Sequence, residues 1–593
     1  MKRGEIDEKY KWDLSALYAS DEDWERDFTK LKNMLPDIKG LKKGFADTAQ
    51  GLASALSKID EAGMLGERLY VYAKMSRDQD NADSKYQAMT DRAMSLLVAL
   101  SGETSFVAPA LLAKDEKKLL GFIDEEKRIA PYAFIIRDTI RQKSHVLSEN
   151  EELLLSLSSD FSSGARDIFT MLNNADLKFG TVDTPEGSVQ LTHGKYIELM
   201  QHRDRNVRRS AYETYYGAYK GSLNTIAASY STSVKKDVFY SKARKYTSAL
   251  NKALFADNVP EPLYDGLISS VHDNLYVMYD YIETRKKLLG IDDIAMYDIY
   301  VPLAGKTDEK YSYEKAMQMT KQALAPLGEE YAGLLDRALN ERWIDVFENE
   351  GKTSGAYSWG AYGVHPYVLL NHRGDLDSVY TIAHELGHAM HTWYSEQNQP
   401  YPLAGYTIFV AEVASTVNEV LLTKYLLDHS DGELKKYVLN HYLDQFRTTV
   451  LRQTMFAEFE KITHAMCESG EPLTRESLSN AYADLNRLYY GPEIDTDENI
   501  AIEWARIPHF YNAFYVYKYA TGFSAAVMIA SNIYDKKQGQ LEAYKEFLKS
   551  GGSDYPLELL KKAGVDFSDG APVKSCMSEF KKTLDEFKSV MNG

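Results

Sequence analysis

Residues 381–391 read TIAHELGHAMH, which places three histidines and one glutamate within eleven positions. On a helix, His384 and His388 are one turn apart, so both imidazoles project from one face and can reach a single ion. Glu385 sits on the neighbouring flank, placed to touch a metal-bound water rather than the metal itself. A catalytic zinc needs a third protein ligand and an open position for water. The extended histidine motif would need a glycine and then a histidine where this chain has His391 and Tyr394, so that solution is excluded. Glu396 lies two turns beyond His388 on the same helix, roughly 12 Å away at 1.5 Å per residue. Glu412 is the better donor. It lies in FVAEVASTVNEVLL (409–422), which has helical periodicity and enough chain before it to turn back. Glu419, seven residues on, shares its face and can hold a ligand histidine by the other ring nitrogen. The expected centre is one Zn2+ per chain on His384, His388 and Glu412, with Glu385 as general base. His391 continues the ligand face, with packing as open to it as a role in the chemistry.

These side chains need elements to hold them. In GAYSWGAYGVHPYVLLNH (355–372), PYVLL reads as a buried strand and the Gly and Tyr residues before it as irregular or edge strand. Asp375 or Asp377 can then cap the histidine helix. Elsewhere helical periodicity dominates: in DEDWERDFTKLKNML (21–35), Trp24, Phe28, Leu31 and Leu35 recur at helical spacing behind an acidic first turn. LKFGTVDTPEGSVQLT (177–192) is the exception, two short β-like runs around a Thr-Pro-Glu-Gly turn. The fold is expected to be mainly α with a small sheet beside the histidine helix. A boundary near the hairpin would divide residues 1–190, an N-terminal helical domain, from residues 191–593, the catalytic domain.

Composition narrows the function classes. The 593 residues carry a formal net charge of −18, which argues against nucleic acid or an anionic membrane surface as partner, since both need a basic patch. The two cysteines, Cys467 and Cys576, match no zinc or redox spacing and read as free thiols of a reducing compartment. MKRGEIDEKYKWDLSALY has no apolar core, so it is not read as a signal peptide. Uninterrupted apolar runs such as SLLVAL (95–100) and AAVMIA (525–530) are too short to span a bilayer. A cytoplasmic protein is expected. Nothing in the sequence sets an oligomeric state.

HELGHAMH followed by FVAEVAS resembles the M3 family of zinc metallopeptidases, the thimet oligopeptidase and neurolysin group, and within it the bacterial oligoendopeptidase F branch. YKWDLSALY (10–18), NTIAASYSTSVKKDVFYSKARKYTSAL (224–250) and IPHFYNAFYVYKYATG (507–522) resemble segments of that branch in the same order, so the likeness runs along nearly the whole chain. It implies a neurolysin-like helical ellipsoid with a deep substrate channel, admitting oligopeptides and excluding folded proteins. Its zinc ligands map onto His384, His388 and Glu412, and its general base onto Glu385.

HFYNAFYVYKY (509–519) packs one histidine and four tyrosines into eleven residues. Core packing explains such a run, but peptide hydrolysis also needs donors for the charge that builds on the former carbonyl oxygen. The resemblance makes His509 one such donor. Tyr515 and Tyr517 match the family's second tyrosine cluster, with Tyr517 taken as the donor. Thimet-type members have a longer glycine-rich stretch here, so their earlier tyrosine has no clean counterpart, and Tyr511 is taken in its place. The expected activity is endopeptidase cleavage of short oligopeptides, with water on zinc activated by Glu385. The alternatives are a dipeptidyl carboxypeptidase of the same family and a non-catalytic peptide-binding protein.

Overall fold

The computed structural model describes residues 1–305 and 309–592. The chain is mainly helical, with three small sheets among the described residues. It forms two compact units, each woven from three stretches of chain. The first comprises Met1–Ser144, Asp308–Tyr425 and Ile529–Val565, and the second comprises His145–Thr307, Leu426–Met528 and Asp566–Gly593. The expected division at 190/191 follows chain order, and the compact units cut across it.

In the first unit, helices Asp21–Gly40, Ala49–Gln79 and Ser84–Thr104 pack against one another. Ser20 caps the first of them by accepting from the Asp23 amide, as its serine and acidic first turn dictate. Trp24 and Leu31 are buried, Phe28 and Leu35 lean on the same cluster, and the Trp24 indole donates to the Leu69 carbonyl at 2.8 Å. The stretch Ser84–Leu112 is long and apolar enough by composition to cross a membrane, which the short uninterrupted runs did not suggest. Met89, Ala93, Leu96 and Leu100 bury one stripe of it in the helical core, and core helices have this composition too.

The same unit holds a three-stranded sheet with Tyr367–Leu369 in the middle. Ile344–Asp345 pairs with it in parallel, and Tyr357–Trp359 pairs antiparallel on the other side, with Trp359 opposite Tyr367. All three middle residues are buried, so PYVLL is the buried strand its composition indicated. The chain's first residues brace this sheet: Arg3 pairs with buried Asp345 at 2.6 Å, and the Val346 amide donates to the Tyr10 carbonyl. Beyond the middle strand, Asp375 caps helix Leu376–Asn398 by accepting from the Ser378 amide and hydroxyl. We call this the histidine helix. Helix Ile408–His429, the glutamate helix, follows it.

The second unit is organised along the helix Arg205–Ala243. The expected hairpin is present as strands Thr181–Thr184 and Gly187–Gln190, closed where Gly187 takes φ +132°. Helix Arg452–Ser469 lies against the long helix, and short 3-10 turns at Ile500–Arg506 and Pro508–Tyr511 lead to a helix starting at Tyr517.

Candidate metal centre

The histidine and glutamate helices cross with their backbones almost touching. A Cβ built on Gly387 would lie 2.5 Å from Ser415 Cα and 2.7 Å from the Ala414 carbonyl oxygen. Only glycine fits such an approach without displacing backbone. The crossing is also pinned by polar contacts. Buried Asn418 donates to the Ala383 carbonyl at 2.9 Å and accepts from Tyr331, while Tyr380 and Thr423 share a hydroxyl contact at 2.9 Å. With the helices this close, a glutamate on the second reaches the histidines on the first.

His384 Nε2, His388 Nε2 and Glu412 Oε2 form a nearly equilateral triangle, with sides of 3.2, 3.4 and 3.5 Å. The edge of a tetrahedron with zinc–ligand bonds of about 2.1 Å is about 3.4 Å. Two imidazole nitrogens and a carboxylate oxygen are also a donor set that zinc favours. The three side chains keep 29, 19 and 44% exposure, so solvent reaches the group. Glu419 Oε1 lies 2.5 Å from His384 Nδ1. By accepting that nitrogen's proton it fixes the tautomer that leaves the Nε2 lone pair for the ion. Ser415 donates to Glu412 Oε2 at 3.0 Å and orients the carboxylate.

The electrostatics fit a cation site. Without an ion, burial works against charge on His384, but the hydrogen bond and charge of Glu419 outweigh it and raise the imidazole to about 9. The hydrogen bond from His388 lowers Glu412 to about 2 against the effect of burial. The site thus favours positive charge, and a bound metal would displace the proton on His384. Glu385 is buried on the flank of the same helix, outside the triangle, and burial raises its carboxyl above the ordinary range.

His391, left open between packing and chemistry, is a packing residue. It stacks on Tyr406 at 3.8 Å and leans on Phe547, and burial lowers its imidazole to about 3. Glu396 is no ligand either. Its Oε2 accepts from the Gly363 amide at 3.2 Å.

In the aromatic segment of the second unit, His509 Nδ1 pairs with the hydroxyl of Tyr515. Tyr517 is 1% exposed and packs on Tyr264 at 5.2 Å. Tyr511 is buried and stacks on Phe169 at 4.4 Å. Burial and the nearby Arg452 lower the His509 imidazole, favouring its neutral form. Sequence spacing grouped Tyr515 with Tyr517. It carried no sign that Phe514, just before Tyr515, turns into the left-handed region, at φ +62°.

Comparisons with known proteins agree with the site. The profile of peptidase family M3 matches residues 198–579, and one for oligopeptidase F matches 111–179. The chain is 42% identical to oligopeptidase PepF of Bacillus subtilis, covering 99% of this chain and 88% of that one. It is 40% identical to group B oligopeptidase PepB of Streptococcus agalactiae, covering 99 and 98%. Among solved structures, a chain from Chlamydophila abortus superposes with TM-score 0.94 at 36% identity, covering 99% of both. Oligoendopeptidase-F from Enterococcus faecium superposes with TM-score 0.74 at 35% identity, covering 96% of this chain and 99% of that one. A two-histidine, one-glutamate triangle on crossed helices, inside a profile match that spans most of the chain, makes this protein a member of peptidase family M3.

Proposed function

We propose that the protein is a zinc endopeptidase that cuts internal bonds of short, unstructured peptides. The observation that carries this reading is the triangle of His384, His388 and Glu412, whose sides match the edge of a zinc tetrahedron. A zinc ion held there would polarise the scissile carbonyl and lower the pKa of a coordinated water to about 7. Glu385 takes the proton of the attacking water and returns it to the leaving amine. The strand Tyr357–Trp359 ends its sheet and pairs with no further strand among the described residues. Its backbone suits an extended peptide added alongside.

His509 is assigned the oxyanion on the strength of the family resemblance, with Tyr515 as its hydroxyl partner. Tyr517 and Tyr511 would first have to leave their aromatic packing. The names of the relatives, oligopeptidase and oligoendopeptidase, support short substrates and internal cleavage. The likeness to thimet oligopeptidase and neurolysin supports selection against folded proteins. Two free thiols, Cys467 and Cys576, support a reducing, intracellular setting.

The test is metal analysis together with a quenched peptide amidated at its C-terminus. One zinc per chain and cleavage at an internal bond are expected. Glu385→Gln should keep the zinc and lose about 10²–10⁴ in turnover. A demand for a free C-terminal carboxylate would favour the dipeptidyl carboxypeptidase, and failure to bind zinc would leave only a peptide-binding protein.

A further inference from the structure

Helix Arg452–Ser469 carries Phe456, Phe459, Glu460, Thr463 and His464 along one buried stripe. The aromatic segment lies on that stripe. Phe510 packs on Phe456 at 5.2 Å and on Phe459 at 5.0 Å, and Phe514 packs on His464 at 4.4 Å. Glu460 is the odd member, a fully buried carboxyl in a mostly apolar row. Its Oε1 accepts from the Phe514 amide at 3.2 Å, and its Oε2 has no partner. Phe514 sits at φ +62°, a region disfavoured for a bulky side chain and held only where surroundings enforce it.

The backbone turn at Phe514 aims the next residue, Tyr515, whose hydroxyl meets His509 Nδ1. An extended Phe514 would swing Tyr515 away from His509. We propose that Glu460 is a positioning residue. By accepting the Phe514 amide it holds the left-handed turn, and the turn sets the His509–Tyr515 pair. Burial raises the Glu460 carboxyl well above the ordinary carboxylate range. Its Oε1 is the acceptor whichever way the carboxyl titrates. Glutamine has the same length and keeps the accepting oxygen.

The inference rests on the reading of His509 as an oxyanion donor, so the experiment separates the two. Glu460→Gln, Glu460→Asp, Glu460→Leu and His509→Ala are compared by zinc content, kinetics and deuterium uptake of peptides covering 509–519. Glu460→Gln should behave as wild type. Glu460→Asp, too short to reach the amide, and Glu460→Leu should lower kcat about 10- to 100-fold, the scale for a misplaced catalytic group. KM and zinc content should hold, and uptake should rise in the 509–519 peptides alone. If the Glu460→Leu variant does not fold, the contrast between Glu460→Gln and Glu460→Asp decides. A Glu460→Gln variant as impaired as Glu460→Asp, or unchanged uptake in Glu460→Asp, would overturn the proposal. Full kcat in His509→Ala would instead remove the oxyanion role, while the deuterium contrast would still show whether Glu460 holds the turn.

Discussion

The histidine helix and the aromatic segment, the two places to which the proposed function assigns chemistry, are held by opposite means. His384 and His388 are placed by helical repeat, and the partner helix by the close approach at Gly387 together with the Asn418 and Tyr380 contacts. Every residue of that centre sits in regular backbone. The pair His509–Tyr515 bridges a 3-10 turn and a phenylalanine in the left-handed region, and its geometry depends on a bond from a distant helix. The first site is stiff because its backbone has no alternative. The second is stiff only while its neighbours hold it. On the proposed reading, a centre that grips an ion and a donor that meets a transient charge would differ in the same way.

The largest expected effect breaks the stiff side. Gly387→Ala places a methyl group against Ser415 backbone, so the glutamate helix must move off and carry Glu412 with it. Loss of stoichiometric zinc and of measurable turnover is expected, with about 1–3 kcal/mol of stability lost to overpacking. Metal analysis and a thermal melt check both, and a variant that still binds one zinc would show the crossing to be adjustable.

On the other side, His509→Ala and Tyr515→Phe should lower kcat by about 10²–10³ and 10-fold or more respectively, with KM little changed. Tyr517→Phe should affect kcat less than Tyr515→Phe. The reverse order would mean that the segment rearranges before catalysis.

A milder change sharpens the first site. Glu419→Gln keeps the contact with His384 Nδ1 but removes its charge, and zinc affinity should fall about 10- to 100-fold. Competition with a chelator measures this, and unchanged affinity would make Glu419 a bystander.

The smallest effect lies away from the chemistry. Burial, and then Glu67, raise Glu396 to about 8. The folded state therefore keeps a proton that the unfolded chain releases above about 4.3, and stability falls as pH climbs through that window. Glu396→Gln does not titrate, so its melting temperature should gain on wild type between pH 5 and 8 and run parallel above it. A constant difference across that range would contradict the buried-acid assignment.

The contrast also explains what could be read from the residues. The histidine spacing, the acceptor at Glu412, the brace at Glu419 and a cap at Asp375 or Asp377 all follow from helix geometry, which sequence expresses directly. PYVLL and the hairpin were equally plain, the first from a short apolar run and the second from two β-like runs around a turn. Tyr515 was not distinguishable from Tyr517, since alternate aromatic residues carry no record of a reversed φ. Glu460 did leave a trace. It falls on the apolar stripe set by Phe456, Phe459 and Thr463 in FAEFEKITH, where a charge has no place unless it is used. The two interleaved units left none, because segments hundreds of residues apart are joined by packing with no local signature.

That interleaving has a consequence for how the enzyme is made. The metal-bearing unit is closed by chain that leaves the ribosome late: Phe547 packs on His391, Gln399 donates to the Lys549 carbonyl, and the Gly552 amide donates to the Leu403 carbonyl. At a synthesis rate of about 5–20 residues per second, the stretch from Tyr425 to Val565 takes roughly 7–30 s to emerge. During that interval the HELGH segment exists without its cover. Translation order thereby sets assembly order: the histidine and glutamate helices emerge together, and the chain that packs on His391, Gln399 and Leu403 joins them only later.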